Sequence, residues 1–398
     1  MGGEGRWEAR SCDGAHRVCV VTETFPPEVN GVALTVARLV DGLRSRGYIV
    51  PVVRPHQDSL DQITPDDSTL TVVRGVPLPG YRMLRMGCPA PFVLRRQWVS
   101  HRPRVIYVAT EGPLGWSAVS TARRLGIPVF SGFHTNFHAY MKHYGASWLG
   151  RPLVRYLRWF HNRTAGTFVP SADLREHLDG QGFRNLHVLE RGVDTALFTP
   201  DRRSEALRRS WGASPADLVV LSVGRLAPEK NVQLVVEAYR ALQNLPGVRR
   251  LVLVGDGPLG PALRATHPDL VFGGVQRGDR LAAHYASADV FLFPSETETF
   301  GNVTLEAMAS GLGVVAYDYA AARRHVSDGE TGILVPYGRA AAFIEGAKRL
   351  AGSPTMLTEI RSQARAAVLP FDWPRVVERF EELLTATFRR EEVRHVGQ

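Results

Sequence analysis

Short apolar runs alternate with helix-forming segments along most of this 398-residue chain. In the first half, strands are predicted over 16–22, 48–54, 71–76, 105–110, 127–132, 167–170 and 187–189, and helices over 32–46, 115–125, 153–163 and 173–179. Strands that alternate with helices favour parallel sheets covered by helices. The chain is therefore predicted to be α/β, with doubly wound parallel sheets.

The alternation restarts after a polar, proline-punctuated stretch over 192–216, interpreted as an interdomain linker with a short helix. Further strands are predicted over 218–223, 250–254, 270–273, 290–294, 314–317 and 333–335. The length suits two domains. The predicted organisation is a disordered lead-in (1–15), an N-terminal domain (16–195), a C-terminal domain (196–372) and a terminal amphipathic helix (373–389).

Composition limits the compartment and the partners. A net charge of +9 indicates an anionic partner, whether nucleic acid, an anionic membrane surface or a phosphorylated small molecule. The cysteines Cys12, Cys19 and Cys88 lack metal-type spacing, so a reducing compartment is expected, with the cytoplasm as default. No apolar run is long enough for a signal peptide or a membrane span.

Two carboxylates lie in the stretch FPSETETFGNVTLEAMAS, residues 293–310. Glu298 precedes a helix predicted to start near Asn302, whose side chain suits an N-cap, and Glu306 lies about one turn inside it. First-turn N–H groups suit an anion, and carboxylates accept hydrogen bonds from sugar hydroxyls. The alternative, acidic residues that only complement the helix dipole, fits this stretch equally well.

Two cations favour the ligand interpretation. Arg225 and Lys230 follow the strand predicted over 218–223, so they lie at its carboxyl end. An Arg fork and a Lys point charge together suit a diphosphate. Because this loop and the loop of Glu298 leave the carboxyl ends of strands in one sheet, we interpret both as parts of one site.

Two other patterns are less specific. The run GDGPLG over 255–260 matches a dinucleotide fingerprint, but Pro258 removes a phosphate-binding N–H and no acidic residue ends the next strand. A tight turn near a nucleotide fits better. His134 ends a predicted strand in the first domain, where it either faces a cleft or packs as a core residue.

Two basic and apolar stretches lie in the first domain, over 149–163 and 82–104. In the first, Leu149, Leu153, Tyr156 and Phe160 form one helical stripe, flanked by arginines. Such a helix either docks on an anionic membrane or packs on its own sheet with a solvated basic face. The second stretch favours the membrane slightly.

Taken together, these motifs resemble the retaining glycosyltransferases of the GT-B fold, in the large group called family 4. The most specific match is the E-x7-E motif formed by Glu298 and Glu306. Further matches lie at 224–231, 255–258, 288–295 and 328–336, in the family's order and spacing. The chain departs from the pattern at Gly313, where proline is usual, and at 320–324, near the donor.

The resemblance implies two Rossmann-like domains that face each other across a cleft, with the C-terminal helix crossing back to the first. It makes Arg225 and Lys230 the diphosphate clamp, with Glu298 on the transferred sugar. It also places His134 near that sugar. These four residues are the catalytic candidates.

The remaining candidates bind the nucleotide sugar. Glu306 is implied on the ribose, and Gly31 is implied to approach the β-phosphate through its backbone. Residues implied to contact the base, the sugar or the phosphates are Gly274, Val275, Gln276, Phe300, Gly301, Asn302 and Val303.

The segments 110–116 and 132–145 look most like the branch that glycosylates diacylglycerol and related lipids. The implied reaction is retaining transfer of a hexose from a UDP- or GDP-sugar to a membrane lipid, by a peripheral protein on the inner face of the cell membrane. The donor is a co-substrate, and neither a cofactor nor a metal ion nor nucleic acid is expected. A soluble or polysaccharide acceptor and a non-catalytic sugar-binding protein remain as alternatives. The oligomeric state is left open.

Overall fold

The computed structural model describes residues 17–28, 30–57, 69–78, 81–134, 150–245, 249–298 and 301–396. The predicted lead-in over 1–15 lies outside them. The chain divides into two compact units, one of Met1–Glu190 with Val376–Gln398 and the other of Arg191–Arg375. Residues 192–216, interpreted from sequence as a linker, thus belong to the second unit.

The first unit is built on a seven-stranded sheet in which every pairing is parallel. Its strands are β1 (Val18–Val21), β2 (Val52–Pro55), β3 (Leu70–Val73), β6 (Val105–Val108), β7 (Val129–Gly132), β8 (Gly166–Val169) and β9 (Leu186–Val188). They lie in the order β3-β2-β1-β6-β7-β8-β9. The doubly wound parallel prediction is confirmed here.

The chain between β3 and β6 differs from the prediction. An antiparallel hairpin of β4 (Gly75–Leu78) and β5 (Tyr81–Gly87) follows β3, so the single strand predicted over 71–76 is two strands. The helix that follows, α2, was not predicted. The helices of the first unit that precede residue 191 are α1 (Gly31–Ser45), α2 (Pro91–Ser100), α3 (Pro113–Arg124), α4 (Gly150–His161) and α5 (Ala172–Gly180).

The second unit holds a six-stranded sheet, again parallel throughout. Its strands are β10 (Leu218–Val223), β11 (Arg249–Val254), β12 (Val271–Gly274), β13 (Val290–Phe293), β14 (Gly313–Tyr317) and β15 (Ile333–Val335). Its helices are α6 (Glu205–Ser210), α7 (Val232–Leu242), α8 (Gly260–Thr266), α9 (Gly278–Ala286), α10 (Asn302–Ala309), α11 (Ala320–His325), α12 (Ala340–Ala351) and α13 (Pro354–Val368). All six strands agree with the predicted ones to within two residues.

The alternation of side chains along these strands produces two cores. In β10, Val219 and Leu221 pack into one apolar cluster, while Val220 packs into the other. Because successive side chains of a strand point to opposite faces, each face of the sheet is apolar and is covered by helices. The second unit is therefore a doubly wound three-layer structure.

The strand order places one ligand-binding edge in each unit. The second sheet runs β12-β11-β10-β13-β14-β15, so the chain leaves β10 toward one side and β13 toward the other. In open parallel sheets, ligands bind beyond the carboxyl ends of the strands at this switch point. The loops after β10 and β13 are the ones that carry Lys230 and Glu298. In the first sheet the corresponding loops follow β1 and β6.

The last helix, α14 (Trp373–Val396), groups with the first unit from Val376 onward. The ring of Phe380, which is fully buried, lies 5.1 Å from the ring of Tyr107 and 5.2 Å from that of Phe168. Glu381 accepts a hydrogen bond of 2.8 Å from the hydroxyl of Tyr48. These contacts make the helix part of the core of the first unit.

A buried carboxylate fixes the start of the second unit to its sheet. Asp289 accepts hydrogen bonds from the guanidinium groups of Arg203 (3.1 Å), Arg208 (3.0 Å) and Arg361 (3.3 Å), and from the backbone N–H of Val219 (2.8 Å). The side chain of Arg208 has no exposed surface. The carboxylate therefore holds the α6 region, β10 and α13 together.

Asp289→Asn keeps the size of the side chain but removes its charge, so buried Arg208 loses its hydrogen-bonded counter-ion and is left with the carboxylate of Glu205 at 3.8 Å. We expect the free energy of unfolding to fall by about 3–5 kcal/mol in chemical denaturation. The matched control is Asp269→Asn, which breaks an exposed pair with Arg240 (2.6 and 2.7 Å) and is expected to cost about 0–1 kcal/mol. Equal losses in the two variants would contradict the structural role given to Asp289.

Candidate active site

Two loops at the switch point of the second sheet are joined by an ion pair. The ammonium group of Lys230 is paired with the carboxylate of Glu298 and lies 3.3 Å from the carbonyl of Thr297. The hydroxyl of Ser295 donates to the same carboxylate at 2.9 Å. The structure therefore brings together two of the four predicted catalytic residues, across 68 positions of sequence.

Arg225 lies on the Lys230 loop but outside this ion pair. Its side chain is 66% exposed, and its guanidinium is 3.9 Å from the carboxylate of Glu229. An exposed guanidinium whose one carboxylate partner among the described residues is this distant can turn toward an incoming anion. Its place at the carboxyl end of β10 agrees with the sequence analysis, and its role as a phosphate ligand stays a prediction.

The N-terminus of α10 is built differently from the prediction. Gly301, not Asn302, occupies the N-cap position, with φ of 93° in the left-handed region that favours glycine. The expected side-chain cap by Asn302 is thus wrong, because the chain enters the helix through a left-handed turn. The N–H of Thr304 bonds back to the carbonyl of Gly301 at 3.0 Å. The predicted contact residue Phe300 lies outside the described residues.

One polar side-chain atom of the first turn has no hydrogen-bond partner among the described residues. The side-chain oxygen Oδ1 of Asn302 is buried and has no hydrogen-bond partner in the described part of the chain. Buried polar atoms are nearly always satisfied by protein, water or ligand. Asn302 and the half-buried Val303 therefore mark a place where a polar ligand can be accommodated.

Glu306 lies one turn inside α10, as predicted, with its carboxylate held by a tyrosine. The hydroxyl of Tyr285 donates to its Oε2 at 3.0 Å. Burial raises the pKa of Glu306 to about 7, although the hydrogen bond from Tyr285 acts in the opposite direction. The carboxylate is thus desolvated and has no cationic partner within the described ranges, a state that favours donors brought by a ligand.

The glycine-rich turn after β11 serves a close approach between loops. A side chain on Gly255 would collide with the carbonyl of Gly224, and one on Gly257 would meet the carbonyl of Leu226 at 2.5 Å. The N–H of Leu226 bonds to the carbonyl of Asp256 at 3.0 Å. The GDGPLG pattern is therefore explained by packing against the loop of Arg225, which agrees with the tight turn inferred from sequence.

The residues implied to meet the base lie at the carboxyl end of β12 and just after it, at the same edge of the sheet. The carbonyl of Gly274 accepts from the N–H of Gly255 at 2.7 Å, which ties this loop to the glycine-rich turn. The side-chain amide of Gln276 donates to the carbonyl of Gly273 at 2.6 Å, and Val275 is 62% exposed. An exposed apolar side chain beside a fixed turn suits the face of a planar base.

The other two candidates, His134 and Gly31, belong to the first unit. His134 follows β7, is half-buried, and its Nε2 lies 2.9 Å from the hydroxyl of Tyr107. Gly31 is the exposed first residue of α1, where Asn30 accepts hydrogen bonds from the N–H groups of Val32 (3.0 Å) and Ala33 (2.8 Å). Both residues lie at the carboxyl edge of the first sheet.

Sequence reasoning missed two supporting residues. Ser295 orients Glu298, and its position three residues before that carboxylate is a signal that could have been used. Tyr285 holds Glu306 from α9, and no sequence signal links the two. Both act on the carboxylates rather than on a ligand.

Two further kinds of feature would bear on the chemistry, namely a metal site and a membrane-spanning helix. Within the described ranges, no three His, Cys, Asp or Glu side chains converge as a metal site would require. In the same residues, no helix combines the length and the apolar character that crossing a membrane requires.

The raised pKa of Glu306 has a measurable consequence. Between pH 4.5, the ordinary value, and about 7, the folded protein keeps a proton that the unfolded chain releases, so stability falls as the pH rises. Glu306→Gln removes this penalty and should raise the free energy of unfolding at pH 8 by about 1–3 kcal/mol, with little change at pH 4.5. The control is Glu296→Gln, at an exposed position, with changes within about 0.5 kcal/mol. A pH-independent effect of Glu306→Gln would contradict the assignment.

The sequence matches two family profiles. "Glycosyl transferases group 1" covers residues 217–353, and "Glycosyltransferase Family 4" covers residues 29–197. The chain is also 34% identical to a GDP-mannose-dependent alpha-mannosyltransferase of Mycobacterium tuberculosis over 91% of this chain and 94% of that protein. It is 28% identical to an alpha-monoglucosyldiacylglycerol synthase of Streptococcus pneumoniae, over 80% of this chain and 75% of the relative.

Solved structures agree in fold. A sucrose-phosphate synthase from Thermosynechococcus elongatus superposes with a TM-score of 0.74 at 19% identity, over 94% of this chain and 100% of that one. At this identity the likeness concerns the fold alone. The two units have the GT-B architecture, and the chain belongs to the glycosyltransferases described by the group 1 and family 4 profiles.

Proposed function

We propose that this protein transfers a hexose, with retention of anomeric configuration and without a metal ion, from a nucleotide-diphosphate sugar to the hydroxyl of a membrane lipid. The observation that carries the proposal is the Lys230–Glu298 pair at the switch point of the second sheet. The mannosyltransferase relative makes GDP-mannose the first donor to test. The diacylglycerol-linked relative makes diacylglycerol the first acceptor.

The diphosphate is assigned to Arg225, Lys230 and the N-terminus of α10. Positive charge and helix N–H groups, fixed before reaction, stabilise the charge that develops on a departing phosphate. Only three of the 48 basic residues are lysines, and one of them is at this position. Lysine offers a compact point charge, which suits a phosphate oxygen whose geometry changes during the reaction.

Glu298 is assigned to hydroxyls of the transferred sugar. Its carboxylate is held by Lys230 and by Ser295 at 2.9 Å, so its position is set by the protein itself. Charge-assisted hydrogen bonds from hydroxyl groups to such a carboxylate are short and strong. Preorganisation of this kind limits the cost of ordering the site on binding.

Glu306 and Asn302 are assigned to the ribose. The desolvated carboxylate of Glu306 and the buried Oδ1 of Asn302, for which the described part of the chain supplies no donor, are both acceptors, and a ribose offers hydroxyl donors. Gly274, Val275 and Gln276 then meet the base. Gly31 and His134, in the first unit, keep their predicted roles on the β-phosphate and on the sugar.

In the proposed reaction, the bond between the anomeric carbon and the phosphate oxygen breaks as the acceptor oxygen bonds to that carbon from the same side. The departing phosphate takes the proton of the acceptor hydroxyl. Neither Glu298 nor Glu306 acts as a nucleophile or a general base. Exclusion of water from the site would limit hydrolysis of the donor.

The reaction is tested with a panel of GDP- and UDP-sugars incubated with diacylglycerol-containing vesicles, followed by mass analysis of the lipids. Lys230→Ala should lower kcat/KM by about 10²–10³-fold, because it removes the positive charge that stabilises the departing diphosphate. The matched control is Lys348→Ala, which removes a surface ion pair with Glu345 (2.8 Å) and should leave transfer unchanged. Undiminished transfer by Lys230→Ala would refute the diphosphate assignment.

Substitutions of the two carboxylates should affect different measurements, one the affinity for the nucleotide and the other the turnover rate. Glu306→Gln is expected to weaken the binding of GDP about tenfold, because a charged acceptor for the ribose is lost. Glu298→Gln should not weaken GDP binding but should lower kcat, since GDP lacks the transferred hexose that Glu298 is assigned to hold. Calorimetric titration with GDP measures the first effect and steady-state kinetics the second. Similar losses of GDP affinity in both variants would show that the roles are assigned wrongly.

A further inference from the structure

Three helices of the first unit cover one face of its sheet side by side. Leu94 and Trp98 of α2, Leu114 of α3 and Phe160 of α4 belong to the same buried cluster. The N–H of Ala90, at the start of α2, bonds to the hydroxyl of Ser117 in α3 at 3.1 Å. The hydroxyl of Tyr156 in α4 bonds to the carbonyl of Glu111, just before α3, at 2.6 Å. One side of each helix is thereby buried, and the other sides form one outer layer, here called the α2–α4 face.

The α2–α4 face carries basic residues without acidic ones. The three helices contain no Asp or Glu, and the arginines on their exposed sides are Arg95, Arg96, Arg123, Arg124, Arg151, Arg155 and Arg158. In the described part of the chain, none of the seven has a carboxylate partner. Their charge is therefore uncompensated and directed at the solvent.

The same face exposes apolar side chains between the arginines. Phe92 is 87% exposed, Trp116 42% and Trp159 39%, and they are the exposed Phe and Trp residues of the described ranges. Val93 and Val99 add exposed apolar surface on α2. A large aromatic ring left in water is unfavourable in an isolated protein, so its concentration on one basic face indicates a partner.

The apolar stripe of Leu149, Leu153, Tyr156 and Phe160, which in the sequence suggested membrane binding, is not the part of α4 that forms the α2–α4 face. Tyr156 and Phe160 of α4 pack in the cores of the first unit, as does Leu153. Leu149 lies outside the described residues. For this stripe, packing on its own sheet is correct, and the opposite side of α4, with Arg155 and Trp159, remains available.

We propose that the α2–α4 face docks on a bilayer surface rich in anionic lipid headgroups. Arginines bind phosphate oxygens, and the exposed rings reach the boundary between headgroups and acyl chains, where aromatic side chains are favoured. Among the described residues, the charge changes sign at the next helix of the same face, α5, whose exposed residues include Asp173, Glu176 and Asp179. The basic surface therefore ends where α5 begins.

A lipid surface fits better than a nucleic acid. Stacked bases would use the aromatic rings, but they offer nothing to the exposed aliphatic side chains of Val93 and Val99. A bilayer accommodates both kinds of apolar group beside cations. The docking surface rests on the proposed lipid acceptor for its role, since it would bring the enzyme to that substrate.

The test is co-sedimentation with vesicles of phosphatidylcholine, alone or mixed with phosphatidylglycerol, in the absence of donor. The wild-type protein should bind the mixed vesicles and be released by high salt, which screens exposed charges. Arg96→Glu combined with Arg155→Glu should lower the partition coefficient at least about tenfold. Phe92→Ala, at a nearly fully exposed position, should lower it about threefold, with weaker dependence on salt. Thermal unfolding verifies that the variants fold.

The matched control combines Arg209→Glu with Arg339→Glu, which makes the same change of charge at exposed positions of the second unit. Equal loss of binding in this control and in Arg96→Glu/Arg155→Glu would reduce the effect to net charge and overturn the proposal. So would binding to an oligonucleotide that is lost in the same variants while vesicle binding persists. Vesicle binding through this face by an enzyme that glycosylates no lipid would refute the proposed function but not the docking surface.

Discussion

The reversal of strand order in the second sheet is the constraint on which the site depends. The chain leaves β10 and β13 in opposite directions, so the loops that follow these neighbouring strands diverge and leave a crevice between them. Lys230 lies in one loop and Glu298 in the other, and their ion pair spans the crevice. The glycines of the turn after β11 then let a third loop approach without side chains in between. The backbone topology therefore determines where the site lies, and the side chains of the loops determine its chemistry.

Arginine has opposite uses in the two units. Arg208 is buried, and its Nη1 and Nη2 groups donate to Asp289 and to the carbonyls of Ser287 (2.8 Å) and Ser214 (3.0 Å), so its charge is neutralised within the second unit. On the outer sides of α2, α3 and α4, the same residue type has no counter-charge among the described residues. The net charge of +9 therefore does not by itself predict where an anionic partner binds. Burial and ion pairing determine which cations are available to that partner.

The sequence predicts the repeated part of the fold well. Buried parallel strands are apolar runs, and all strands of the second sheet were predicted, as was the helical position of Glu306. The hairpin of β4 and β5 was missed because the apolar run over 71–76 continues from β3 into β4 and was predicted as one strand. The N-cap of α10 was misplaced because Asn302 is a favourable capping residue, and only the φ of Gly301 shows how the chain enters the helix. The Tyr285–Glu306 contact depends on tertiary packing of α9 against α10, which no local pattern reports.

The composition of the first unit affects the order in which the protein can fold. Its strands and most of its helices precede residue 191, but its core also contains Phe380 from α14. During synthesis the residues before 191 emerge ahead of the second unit, yet the aromatic surface of Tyr107 and Phe168 stays uncovered until Phe380 has been made. The second unit, continuous in sequence, can complete its core earlier. Synthesis of the first unit thus begins before that of the second unit, but the core of the first unit is completed after it.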